Sequence, residues 1–313
     1  MPQAPAAVRG AFGFLGRTAP GPAAALAARA FLRVGRPTPV RRVDQPMHEE
    51  ARRGHLSHGG VDVATYGWGD PDAPAVLLVH GWQSRASAFG SLVSALTGAG
   101  LRAVAYDAPA HGDSGGRTRA ALDDVAIVRR LTDVEAEPWA GVVGHSLGSL
   151  AAGVAVREGV PTRRLAGIAS IASFRFTEDV FVRAIGLPWS LRDRFSRAWA
   201  HRLRDNPEVT PDVADRFDLV THPLPKRVRA LWLHDDGDQQ IPSAQSELLL
   251  GAHPHSGELV TTTGLGHNRI LGDTAVLTHV VGHLTSGPET ARRLEVTRHE
   301  SEEAGRRADH GRG

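Results

Sequence analysis

The sequence predicts an α/β protein with a mostly parallel central sheet, flanking helices and a small helical cap. Three observations carry this. Short, wholly apolar runs such as Ala75-Val-Leu-Leu-Val-His80 recur between stretches of helical periodicity, and runs without polar alternation are the strands buried on both faces of a parallel sheet. Strand and helix patterns alternate from about residue 75 to 284, the arrangement that crossover connections require. Finally, about 50 residues, from Arg175 to roughly Lys226, separate two consecutive strands, far more than a simple crossover needs.

In chain order, residues 1–45 form an Ala/Pro/Gly/Arg-rich extension. Within it, Pro22 to Val34 reads as a short helix with Arg29, Arg33 and Arg36 along one side and Leu26, Ala30 and Val34 on another. The favoured reading is an extension packed on its own domain or partly disordered; a membrane-surface or partner-binding helix is the second. The domain proper covers 46–287. His55–Ser57 and Val61–Trp68 flank His58-Gly59-Gly60, a hairpin turn. Residues 75–80 form the first buried strand, 85–98 a helix, 101–106 a strand, 119–134 a helix, 140–145 a strand and 147–157 a helix. Strands at 165–171, 228–234 and 258–262 and a helix at 273–284 complete the sheet layer. The interval at about 175–227 places Phe195, Trp199 and Leu203 at i, i+4, i+8, so it reads as the helical cap. The stretch 288–313 carries Arg, Glu and His with almost no apolar residues, as a solvated, disordered tail does.

Composition removes several function classes. The 313 residues are 41% hydrophobic and 22% charged, enough apolar material for a sizeable core. Lys+Arg 36 against Asp+Glu 34 leaves +2. The isoelectric point of 9.6 reflects the lack of groups that titrate at mildly alkaline pH, with no Cys, two Tyr and a single lysine, Lys226. No nucleic-acid partner is therefore expected. Zero Cys excludes disulfides, Cys-ligated metals and thiol nucleophiles. Thr18 to Ala28 is too short and too weakly apolar to span a bilayer, and no signal-peptide pattern precedes it, so a cytoplasmic location is expected.

The chemistry centres on Gly144-His145-Ser146-Leu147-Gly148, which follows an apolar strand and opens an Ala/Gly-rich helix. Glycine two positions either side of the serine lets strand and helix cross closely, while the turn lifts Ser146 Oγ clear of the sheet. A serine hydroxyl needs a base to become nucleophilic. His267, in Thr263-Gly-Leu-Gly-His267, lies in a Gly-rich loop just after the last core strand, where it can reach the sheet's C-terminal edge. His279 and His283 share a helix face without an intervening Glu and read as structural. An orienting acid is available just beyond another strand, where Asp235, Asp236 and Asp238 all remain open by spacing. Backbone N–H groups of Trp82, after the first buried strand, and of Leu147 are placed to meet an oxyanion above Ser146.

These motifs together resemble the α/β-hydrolase fold family over about 55–287. His80-Gly81-Trp82 is similar to that family's His-Gly-x element, Gly144 to Gly148 to its nucleophile elbow, and His267 to its Gly-x-Gly-His loop. Asp107-Ala-Pro-Ala-His-Gly-Asp-Ser114 resembles its Asp-x-Pro-Gly-His-Gly-x-Ser loop, which implies a structural role for Asp107, His111 and Ser114. The family's Gly-x-x-Asp-x-x-x-Pro pattern, aligned on Pro242, selects Asp238, although Asp235 stands where the family has Gly. The chain order Ser…Asp…His is also the family's.

The resemblance implies a serine hydrolase that cleaves a carboxylic ester or related small-molecule acyl substrate through an acyl-enzyme, with Ser146, Asp238 and His267 as triad and without metal or organic cofactor. A thioester or C–C bond hydrolase on the same triad, or a non-catalytic ligand-binding member of the fold, are the alternatives. A serine elbow differs from the Asp of haloalkane dehalogenases and epoxide hydrolases, and the His-Gly-Gly-Gly run of hormone-sensitive-lipase-like esterases is missing. The cap aromatics Phe174, Phe176, Phe181, Trp189, Phe195 and Trp199 are expected mainly to pack the cap on the sheet.

Overall fold

A computed structural model of the chain describes residues 3–286, apart from 205, 207, 208 and 210–212. Its sheet has eight strands: β1 (Arg52–His58), β2 (Val61–Trp68), β3 (Ala75–Val79), β4 (Arg102–Tyr106), β5 (Gly141–His145), β6 (Arg164–Ile168), β7 (Arg229–Asp235) and β8 (Gly257–Thr262). Their spatial order is β1-β2-β4-β3-β5-β6-β7-β8. The β1–β2 hairpin turns through Gly59 and Gly60, both at positive φ, and joins antiparallel to β4. All the other pairings are parallel. Every residue of β3 and β5 is buried, which is why β3, and β5 up to its terminal His145, read as apolar runs.

Helices cover both faces. In chain order they are α1 (Ala6–Thr18), α2 (Pro20–Leu32), α3 (Gln45–Glu50), α4 (Gly90–Gly98), α5 (Ala121–Val134), α6 (Leu147–Arg157), α7 (Phe174–Ile185), α8 (Arg192–Arg202), α9 (Val213–Arg216), α10 (Ala244–Ala252), α11 (Gly266–Arg269) and α12 (Thr274–Thr285). The period-two alternation of β3 divides the core: Leu77 and Val79 face α5 and α6, while Val76 and Leu78 face α4 and α12. Between β6 and β7 stand α7, α8 and α9, the cap.

Three features differ from the sequence reading. The N-terminal extension carries two helices, α1 and α2, where the sequence reading has one at 22–34. The first packs on the cap, with the Ala4 amide donating to Ala184 O at 3.0 Å. The second buries Ala23, Ala24, Ala27 and Ala28 and sends Phe31 into a ring of Phe174, Phe181, Phe195 and Trp199, centroids 4.9–6.3 Å away. Alanines let the helix approach closely, so its packed face carries little of the apolar signal that periodicity detects. Strand β6 stops at Ile168, short of Ile171, because Ala169 turns away at φ 49° just after its amide makes the last bond to β7, to Leu233 O at 2.8 Å. Helix α10 has no clear amphipathic stripe and was not anticipated. The predicted tail at 288–313 lies outside the described residues. Among the described residues no helix is long and apolar enough to cross a membrane.

Candidate active site

From β3 the chain crosses to β4 on one side, and from β4 to β5 on the other, so β3 and β5 lie side by side in register, Val79 opposite Gly144. Loops diverge at such a switch point and leave a crevice beyond the strand ends. Ser146 follows β5 there, and Gly81 and Trp82 follow β3. Ser146 takes φ 54°, ψ −124°, a conformation that favours glycine and costs a side-chain-bearing residue roughly 1–3 kcal/mol. Close crossing enforces it. A Cβ on Gly148 would stand 2.2 Å from Val79 O, one on Gly144 2.4 Å from Ser149 Cα, and one on Gly81 3.0 Å from Ser146 Cβ. The Ser146 amide is spent on Ile168 O at 2.9 Å. Among the described residues the amides of Trp82 and Leu147 have no protein acceptor, while that of the next loop residue, Gln83, donates to His111 Nε2 at 2.9 Å.

His267 and Asp238 are brought together. His267 Nδ1 lies 2.7 Å from Asp238 Oδ2, which puts the ring proton on Nδ1 and leaves Nε2 as the acceptor. Asp238 Oδ1 accepts from the amides of Gln240 at 2.8 Å and Ile241 at 3.0 Å. Burial opposes its charge, but the adjacent His234 ring, the bond from His267 and the two amides prevail and hold its carboxyl well below the usual carboxylate range. Behind it His234, fully buried, stands with Nε2 3.6 Å from Asp238 Oδ2 and 2.9 Å from Ile241 O, and its Nδ1 2.6 Å from Ser246 Oγ.

The other two aspartates do different work. Asp235 Oδ2 accepts the Leu265 amide at 2.8 Å and the Thr262 hydroxyl at 2.9 Å, and Oδ1 accepts the Gly237 amide at 3.0 Å. It thus anchors the loop that carries His267. Asp236 is exposed and takes the Thr263 hydroxyl at 3.0 Å. His145, within the serine turn, donates Nε2–H to His267 O at 2.9 Å. Burial, then the neighbouring His267, push its pKa down to about 3, so it ties the two loops together as a neutral ring.

Asp107, His111 and Ser114 form the scaffold under the Trp82 loop. Asp107 accepts from the Ala86 and Asp113 amides and the Tyr66 hydroxyl, each at 2.8 Å. Ser114 Oγ donates to Asp107 O at 2.5 Å. His111 accepts from Gln83 and donates Nδ1–H to Pro109 O at 2.9 Å; burial and then Arg119 lower its pKa to about 3.

Sequence reasoning missed Arg119 and its partner Asp124. Both are buried, paired through Nε–Oδ2 at 2.9 Å and Nη2–Oδ1 at 2.8 Å. The same guanidinium donates to Gly81 O at 2.9 Å and His80 O at 3.0 Å, so it fixes the peptides immediately before Trp82. The signal was an arginine and an aspartate five residues apart at a helix start, a pattern indistinguishable from a solvated pair.

Ser146, His267, Trp82 and Leu147 all border one cavity of about 440 Å³, within the range of small-molecule sites. Phe174 and Phe176 also border it, whereas Phe181, Phe195 and Trp199 are packed behind it around Phe31. Trp189 is half exposed, with Arg183 and Arg192 at 5.1 and 5.6 Å from its ring. Among the described residues no cluster of three or more His, Cys, Asp or Glu could hold a metal ion.

The chain belongs to the alpha/beta hydrolase family, whose model matches residues 76–283. Similar solved structures share the fold. The Pyrococcus furiosus esterase Pf2001 superposes with a TM-score of 0.58 at 17% identity, over 82% of this chain and 97% of its own. A monoacylglycerol lipase of Paleococcus ferrophilus reaches 0.53 at 21% identity, over 71% of this chain and 99% of its own. The thioesterase domain from the curacin biosynthetic pathway reaches 0.52 at 16% identity, over 74% of this chain and 99% of its own. No curated protein matches the chain by sequence.

Proposed function

We propose that the protein is a serine hydrolase that cleaves a carboxylic ester or related acyl compound through an acyl-enzyme. The supporting observation is His267 Nδ1 bonded to Asp238 at 2.7 Å on a cavity that Ser146 also borders, at the tip of a strained strand-to-helix turn. In the proposed reaction His267 Nε2 takes the proton as Ser146 Oγ attacks the carbonyl carbon, while Asp238 stabilises the imidazolium. The carbonyl electron pair moves onto oxygen, where the Trp82 and Leu147 amides receive it. Collapse breaks the bond to the leaving group, which departs with the proton from His267. Water, deprotonated by the same Nε2, then attacks the acyl-enzyme and regenerates Ser146. The steps are the same for an oxygen ester or a thioester, and both belong in a substrate panel.

A fluorophosphonate probe tests the reading directly. Wild type forms a covalent adduct and Ser146→Ala does not. Folded wild-type protein that resists labelling overturns it.

A further inference from the structure

The family match begins at residue 76, yet part of the cavity wall comes from far upstream. Phe31 and Leu32 at the end of α2, then Thr38, Pro39, Arg41 and Asp44, all border the space that Ser146 and His267 border. This wall is pinned. The Arg119 amide donates to Leu32 O at 3.0 Å and the Val34 amide to Arg117 O at 3.2 Å. Thr38 Oγ1 donates to Gln83 O at 2.7 Å, directly beside Trp82. Arg85 reaches Thr38 O at 3.4 Å from below. Two backbone bonds beside the end of α2 and two side-chain bonds at Thr38 hold this segment against the site.

The wall has two characters. Phe31 and Leu32 line the cavity together with Ile171, Phe174, Phe176 and Val180, the Phe31 and Phe174 rings meeting edge-on at 5.7 Å. Thr38, Arg41 and Asp44 line the rest with Gln83, Ser84 and Arg85. A lining that combines these apolar side chains with polar ones around a candidate nucleophile suits an ester whose acyl part is a hydrocarbon chain and whose other part is polar. Phe31 limits the apolar compartment. One side of its ring meets the cavity, and the rest packs against Phe181, Phe195 and Trp199, which lie outside it.

We propose that the segment 20–44 is the substrate-selecting wall of this site and that Phe31 sets the length of acyl chain it accepts, the ring standing between the bound chain and the cap interior. The proposal rests on the hydrolase reading. A smaller side chain at 31 opens the compartment towards the cap rings; a larger one shortens it. Each further methylene buried is worth about fourfold in kcat/KM, the equivalent of about 0.8 kcal/mol.

The experiment uses the full chain and p-nitrophenyl esters of unbranched acids from two to twelve carbons, with active sites counted by fluorophosphonate labelling and folding checked by thermal melting. Wild-type kcat/KM is expected to climb about fourfold per carbon to a maximum and then fall. Phe31→Leu moves the maximum one or two carbons longer, and Phe31→Trp moves it shorter. Leu32→Val, a milder change on the same wall, carries the lengthening if the Phe31 variants do not fold. Coincident maxima in folded, labelled variants overturn the proposal, as does labelled wild type that turns over no ester of the series. Wild type that is folded, unlabelled and inactive instead overturns the hydrolase reading, and the proposal falls with it.

Discussion

Replacing Asp238 by Asn preserves the size of the side chain and removes its charge and one acceptor. The surroundings dictate which way the amide points. Oδ1 accepts two backbone N–H groups, from Gln240 at 2.8 Å and Ile241 at 3.0 Å, and only the amide oxygen of Asn can occupy that place. The NH2 group is therefore directed at His267, into the position of the 2.7 Å bond to Nδ1. Nδ1 has to become an acceptor, so the ring proton moves to Nε2, the atom that should receive the Ser146 proton. A triad in the wrong tautomer loses roughly 10⁴ in kcat, about 5 kcal/mol of transition-state stabilisation. Asp235→Asn is the control. It disturbs acceptors for Leu265, Thr262 and Gly237, and should cost about 1–3 kcal/mol of stability with a fall in kcat below roughly 10². Steady-state kinetics on the best ester of a chain-length panel, with urea denaturation of both variants, separates the two. Asp238→Asn within tenfold of wild type, or a larger kcat loss in Asp235→Asn, would refute this reasoning.

Ser146→Gly should raise stability by roughly 1–3 kcal/mol, because glycine relieves the positive φ, while abolishing hydrolysis; an unchanged urea midpoint argues against strain at the turn. Arg119→Leu leaves Asp124 buried without its partner and the Gly81 and His80 carbonyls without a donor, so chemical denaturation should read a loss of about 3–5 kcal/mol. Acid should weaken the fold from about pH 6.5 downward, through buried histidines. The folded chain keeps His145 and His111 neutral down to about pH 3, whereas the unfolded chain protonates them below about 6.5, so stability falls with pH across that window. At pH 5 the loss is about 2 kcal/mol for each of the two, and equal urea midpoints at pH 7.5 and 5.0 would contradict it.

The sheet was legible because its interior strands have no polar face to blur the pattern: β3 is apolar throughout and β5 up to its last residue, His145. The serine turn was legible for a related reason, since Gly144 and Gly148 are forced by backbone contacts at 2.4 and 2.2 Å that no other residue survives. The choice among Asp235, Asp236 and Asp238 was not fixed by spacing. All three cluster at the end of one strand, Asp235 as its last residue, and what distinguishes them is where the backbone aims each carboxyl: one onto His267, one onto the amides beneath it and one outward. Arg119 and the Phe31 wall were illegible because what they hold, the His80 and Gly81 carbonyls and the cap rings, is distant in sequence. Neither a salt pair at a helix start nor an Ala-rich helix announces what it will be packed against.

Phe31 closes onto rings that lie roughly 140 residues or more downstream, contacts of a separation that slows folding. When α2 leaves the ribosome, its Ala and Phe face has nothing to cover it until the cap has been synthesised. Strands β3 to β6 can pair in the meantime, because every one of them precedes the cap. The N-terminal helices and the cap therefore lock together late, as one unit clamped on a sheet already largely formed. A cavity bordered by both is completed only at that last step, so any catalytic competence that depends on it should appear after the sheet's secondary structure and with the burial of Trp199.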